Sequence, residues 1–173
     1  FTNRFTDMVG LRVEALLHDS LPGNGPGRAE DGNFVLSEVV AMIVSTNQAT
    51  NVVLFTSARA DFEQKHMVHT NVAPAGSAAA AIDGFSNEEI TGWGIWPQTN
   101  QPHQLVLSSA TPFSLAQGEM LIVELKQNHP GHALGHFRIA ITTNTEALQG
   151  ALRFPPPKEF ADLLLISAEK RDV

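Results

Sequence analysis

Residues 31–47 read DGNFVLSEVVAMIVSTN, and the run inside them, Phe34 to Val44, is almost wholly apolar and rich in β-branched side chains. Asp31-Gly32-Asn33 closes it on one side and Ser45-Thr46-Asn47 on the other. Turn residues at both ends of such a run mark a strand, and the scarcity of polar alternation predicts burial on both faces. Upstream, Leu11, Val13 and Ala15 alternate with Arg12 and Glu14, the period-two pattern of a half-buried strand. Downstream, Val52–Phe55, His103–Leu107, Met120–Leu125 and Phe137–Ile141 are further strand candidates. In the last, Phe137, Ile139 and Ile141 point one way, and His136, Arg138 and Ala140 the other. Strands roughly 10–20 residues apart, separated by Gly, Pro and Asn turns and without a repeated βα unit, predict an all-β, antiparallel β-sandwich of jelly-roll type.

Two segments differ. SLPGNGPGRAEDGN, Ser20–Asn33, is too rich in Gly and Pro for a helix or a central strand, so it reads as a long loop that Arg28 pins to the body. From Pro155 the chain changes character: Phe160, Leu163, Leu164 and Ala168 recur at helical spacing, which predicts a short C-terminal amphipathic helix. The expected division is a β-sandwich binding domain over 1–154 and a helix or linker over 155–173 that leads into a further segment. Phe1-Thr2-Asn3 reads as a cut edge of a longer protein.

A chain of 173 residues fits one domain. Its 18 acids against 11 bases argue against nucleic acid, which needs clustered Lys and Arg. No apolar run approaches the roughly 18 residues of a membrane span, so no membrane insertion is expected. The absence of cysteine excludes disulfides, thiol catalysis, cysteine-ligated zinc and haem attachment through Cys-x-x-Cys-His. With no tyrosine either, a ligand platform must come from Trp93, Trp96, phenylalanine or histidine. Neither a Gly-x-Ser-x-Gly elbow nor His-Glu-x-x-His nor a phosphate-cradling loop is present, and the chain reads as non-catalytic.

The loop AAAAIDGFSNEEITGWGIWP, Ala78–Pro97, concentrates Asp83, Asn87, Thr91, two glutamates and both tryptophans. It reads as a plain turn, a metal-pinned loop or a ligand-binding rim. Calcium takes oxygen ligands from carboxylates, amides, hydroxyls and backbone carbonyls, and Asp83, Asn87 and Thr91 offer such oxygens at four-residue intervals, with the Ala81 and Gly84 carbonyls nearby. Glu38 is a lone carboxylate in the apolar run around it; burial would require a partner, either an ion shared with Asp83 or a salt bridge to Arg12 or Arg138. HPGHALGH holds His129, His132 and His136, a set that invites a transition-metal reading, but the rings are expected to diverge from the Pro130-Gly131 turn, with His132 and His136 making local hydrogen bonds at a hairpin end.

Ala-Ile-Asp-Gly followed by a polar loop, Thr91 and Trp93 resembles the discoidin, or coagulation-factor type C, pattern of galactose-binding-like domains. That resemblance implies a structural calcium held by Asp83, Asn87 and Thr91, with Glu38 from a strand and Trp93 packed in the core. Here the glutamate strand precedes the Asp-Gly loop, and Phe85 stands where Asn often follows Asp-Gly. The ordered set GLRVEALLHDSLPGNGPGRAEDGNFVLSEV, ADFEQ, AIDG, GWGIWPQTNQPH and HALGHFRIAIT resembles a domain of large planctomycete-type proteins that carry cytochrome-c-like segments. What this implies is an extracytoplasmic (periplasmic or secreted) carbohydrate-binding module for a polysaccharide or oligosaccharide.

Sugar recognition needs a flat apolar face and fixed hydrogen-bonding groups. Trp96 with Gln98, Asn100 and His103 offers both, unless Trp96 only covers a sheet end. Arg138 either joins that ligand site or pairs with Glu124 on a neighbouring strand. Two other functions stay open: an interaction domain packed against other domains of the cytochrome-like parent, and a hydrolase or lyase pairing Glu88 or Glu89 with another acid.

Overall fold

A computed structural model describes residues 5–64, 76–85 and 91–150. The helix read after Pro155, the boundary at 154 and the acids Glu88 and Glu89 lie outside them.

The described chain is mostly antiparallel β-sheet, a sandwich-like all-β arrangement. Its strands are β1 (Met8–Ala15), β2 (Val35–Leu36), β3 (Glu38–Val44), β4 (Thr50–Val53), β5 (Phe55–Ala60), β6 (Trp93–Gly94), β7 (His103–Phe113), β8 (Met120–Lys126) and β9 (Phe137–Thr142). A single helical turn and a half, α1 (Thr145–Gly150), follows. One sheet has the order β5-β7-β1-β9, a second β4-β3-β8, and β2 pairs with β6. The period-two reading of β1 and β9 fits the register: Leu11 lies opposite Leu107 and Ile141, and Val13 opposite Leu105 and Ile139. Leu11, Val13, Leu105 and Leu107 share one core cluster with Val39, Ala41 and Val53 of the second sheet, and with Phe34, Leu36 and Trp93, whereas Ile141 on the edge strand β9 is 39% exposed. Burying each large apolar side chain there contributes about 1.5–3 kcal/mol.

The run around Glu38 is not one strand buried on both faces. It breaks at Ser37, whose N–H donates to Lys126 O and whose hydroxyl accepts Asn128 N–H. Val35-Leu36 then pairs with β6, and Glu38 onward pairs with β8. Val40, Met42 and Val44 are only half-buried on β3. A bare aliphatic face and a buried one look alike in sequence, because either erases polar alternation. The Val52–Phe55 run is a corner: Val53 belongs to the second sheet, Phe55 to the first, and Leu54 between them points outward at 66% exposure.

The Gly/Pro loop is pinned by its backbone, not by the Arg28 guanidinium. Gly27 N–H donates to Gly32 O, Arg28 N–H to Ala133 O and Gly135 N–H to Pro26 O. A Cβ on Gly27 would lie 1.9 Å from Asn33 O, and one on Gly25 would lie 2.8 Å from Thr99 O. Glycine is therefore the condition of the close packing that joins this loop to segments 96–102 and 127–136 at one end of the sandwich.

Candidate functional site

Ser77 caps a short 3-10 turn, Ala78–Ala81, by accepting Ala80 N–H, and Glu63 accepts Ala78 N–H. The chain then turns through Asp83-Gly84-Phe85. Asp83 Oδ1 accepts Phe85 N–H at 2.9 Å, a side chain mimicking a turn bond. Gly84 N–H donates to Glu38 Oε2 at 3.1 Å, which brings the carboxylates of Glu38 and Asp83 to one place from segments far apart in sequence. Asp83 Oδ2 is buried and has no hydrogen-bond partner. Burial pushes the Glu38 carboxyl above its ordinary value; the Gly84 N–H opposes this, the Asp83 charge adds to it, and Lys126 opposes it. Thr91 donates its hydroxyl to Phe85 O at 2.7 Å and so ties the far end of the loop to Phe85. Asn87 lies outside the described residues. The sequence alternative of a salt bridge from Glu38 to Arg12 or Arg138 is not formed, because both arginines bind Glu14.

Trp93 is fully buried, donates its indole N–H to Phe62 O and meets Phe34 edge-on at 5.0 Å. Trp96, three residues on, is 50% exposed. The loop carrying it is held from inside. Asn33 Oδ1 accepts Ile95 N–H, Gln98 N–H donates to Ile95 O, and Gln101 donates its amide to Gln98 Oε1. His103 is buried at the start of β7, with Nδ1 3.0 Å from Asp61 Oδ2 and Nε2 2.6 Å from Gln98 O. Both ring nitrogens face protein oxygens, so His103 serves as the latch beneath the loop and not as a contact for a bound ligand. Trp96, Gln98 and Asn100 remain together on the loop, Asn100 exposed.

Arg138 is on β9, separated from β7 by β1. It faces outward and binds Glu14 Oε2 on β1, not Glu124, because β9 neighbours β1 whereas β8 lies in the other sheet. Arg12 Nη2 stands 3.0 Å from Glu14 Oε1 without the alignment of a hydrogen bond. Glu14 is fully buried beneath the two arginines, and the Arg138 hydrogen bond leads in holding its carboxyl below the ordinary value. Sequence reading placed Glu14 on the outward face of its strand but gave no sign of this clamp, since its partners come from one neighbour two residues away and one on a distant strand. Gln104, opposite Glu14 on β7, is also fully buried, and neither polar atom of its side chain has a partner.

The histidines depart from the expected divergence. His129 and His132 meet edge-on at 4.3 Å, while His136 pairs with His18 at 5.2 Å. The expected local bond forms at His132, Nδ1 with Pro130 O, whereas His136 Nδ1 instead reaches Leu17 O, far away in sequence. Beside them, a cleft of about 510 Å³ is lined by Arg28, Glu30, Asp31 and His132. Sequence reading had Arg28 pin the loop to the body; its side chain is exposed at this cleft instead. Among the described residues no three His, Asp or Glu side chains converge as metal ligands, so an ion at Glu38 and Asp83 would draw its remaining oxygens from backbone, hydroxyl or amide groups.

Compared with known proteins, the chain matches no family model, no curated protein and no solved structure.

Proposed function

We propose that the chain is a non-catalytic carbohydrate-binding module, a jelly roll of galactose-binding-like type that meets a polysaccharide or oligosaccharide through Trp96. The observation that carries this reading is the half-exposed Trp96 on a loop fixed from beneath by His103 and Asn33. A flat ring held still loses little freedom when a sugar stacks on it, and Gln98 and Asn100 beside it supply hydrogen-bonding groups. Arg138, held by Glu14 on another face, is left out of this site. The extracytoplasmic setting, periplasmic or secreted, rests on the planctomycete-type resemblance alone.

A calcium ion acts in this reading as a loop staple. The residues present suit it: Asp83 Oδ2 is a buried carboxylate oxygen without a partner, and the Glu38 carboxylate sits against the same turn. A hard cation would satisfy that oxygen and offset two neighbouring negative charges. Glu38, Asp83 and Thr91 would hold it, with Asn87 as the fourth residue of the set.

The test is a glycan array and affinity-gel screen with Trp96→Ala beside the wild type. Binding that the substitution abolishes, with melting unchanged within about 2 °C, is expected. No binding across diverse plant, algal and bacterial glycans overturns the reading and leaves the interaction-domain alternative.

A further inference from the structure

The positive charges of this acidic chain are gathered on one surface. Arg12, Arg28, Arg59, Lys126 and Arg138 are the arginines and lysines among the described residues. Of these, Arg12, Arg59 and Arg138 share the outer face of the β5-β7-β1-β9 sheet. The register sets its rows. Arg59–Val106–Arg12–Ala140 crosses the whole sheet, and Gln104–Glu14–Arg138 lies beside it, one row in from the strand ends at His103, Ala15 and Phe137. Glu14 is the carboxylate within these rows; Asp61, just past β5, is turned to His103 and to the Gln104 N–H. Three guanidiniums over one buried carboxylate make this face positive in a molecule of net charge −7.

The arginines have donors to spare. Arg12 and Arg138 approach opposite oxygens of Glu14, which holds their guanidiniums within roughly 8 Å of each other. Arg138 is 62% exposed and gives its Nε–H to Glu14, which leaves its two Nη groups for a further oxyanion. Arg59, also exposed, spends one Nη2 bond on Leu148 O and stands with Ser108 and Thr145 in a cleft of about 330 Å³. The buried part of the face is short of partners as well: Arg12 Nε and both polar atoms of Gln104 have none. Buried polar groups are ordinarily paired, so this deficit marks a place for a polar occupant.

We infer that this face seats the carboxylates of an acidic polysaccharide, a polyuronate, on Arg12, Arg138 and Arg59, a refinement that rests on the Trp96 reading for the sugar itself. A planar guanidinium matches a carboxylate two N–H groups to two oxygens. The placement agrees: β7 starts at His103, the latch of the Trp96 loop, so the loop and the arginine rows adjoin at Gln104. Charges more than about 8 Å away are largely screened at physiological ionic strength, so a ligand on this face meets the arginines rather than the net charge.

Affinity gels of polygalacturonate and of its methyl-esterified form test this, since the ester keeps the backbone and caps the charge. Retention on the acid at least ~10-fold above the ester, falling as salt rises from about 50 to 500 mM, is expected. Arg59→Gln is expected to weaken it at least ~5-fold, whereas Thr50→Glu, exposed on β4 of the other sheet, changes net charge equally and should stay within about twofold. Arg138→Gln should act as Arg59→Gln does; it also strips Glu14 of its hydrogen bond, so where it fails to fold Arg59→Gln decides. Equal retention on acid and ester, or retention on neutral glycans alone, overturns the inference and leaves the Trp96 reading standing. Acid-selective retention that both arginine variants leave unchanged overturns it by placing the contact elsewhere. Polyglutamate retained as well as polygalacturonate overturns it in favour of an acidic protein segment. No retention on any glycan, acidic or neutral, is the failure of the Trp96 reading, and the refinement falls with it.

Discussion

Glu14 shows how much a single carboxylate depends on its surroundings. Its side chain is fully buried, yet Arg138 and Arg12 each stand against one of its oxygens, and their combined effect exceeds the penalty of burial and lowers its pKa from the ordinary 4.5. The unfolded chain therefore binds a proton there at a pH where the folded chain does not. The resulting stability is fully present above about pH 4.5 and is lost as pH falls through the lower folded value. Glu14→Gln is expected to lower Tm by roughly 2–5 °C at pH 7 and to converge with the wild type as acid melts are carried below pH 4. A constant gap down to pH 3 would mean that Glu14 acts through packing rather than through its charge. At this scale the sequence was legible where alternation along a strand decides a residue's role, as at Leu11 and Val13, both fully buried. Trp93 was placed in the core through the family resemblance, since its own chemistry does not separate it from Trp96, which is exposed. Glu14, His103 and Asp61 could not be assigned, because each acquires its role from a residue brought beside it only by folding.

Among the elements, the Asp83-Gly84 turn and β3 are joined by one short contact, Gly84 N–H to Glu38, with a buried carboxylate oxygen left over beside it. If calcium bridges them, binding stabilises the folded state by mass action, about 2.7 kcal/mol when calcium is at 100 times its Kd. Calcium is then expected to raise Tm by roughly 5–10 °C over chelator, and Asp83→Asn to remove most of the difference. Equal melts in calcium and chelator, after denaturation and refolding in chelator to strip a tight ion, would eliminate the staple. Strands themselves were legible to the extent that alternation survives. β1, β7, β8 and β9 were found because one face of each is polar or their ends carry turn residues. β5 was missed because its inner positions are Ala58 and Ala60, too small to register as an apolar stripe. The β2–β3 break was missed because Ser37 is a weak interruption in a long apolar run, and the change of sheet on either side of it is a long-range fact.

At the scale of the molecule, the Trp96 loop and the Asp83 turn lean on different partners and are expected to answer separately. The first is held by Asn33 and His103, the second by Glu38. Trp96→Ala is therefore expected to abolish retention on an immobilised polysaccharide while leaving the calcium-dependent rise in Tm within about 2 °C of the wild type. Asp83→Asn is expected to do the reverse, removing the calcium response while leaving oligosaccharide affinity within about twofold. Loss of sugar binding in both variants would mean that the turn shapes the loop, and the ion would then belong to the binding site rather than to the scaffold.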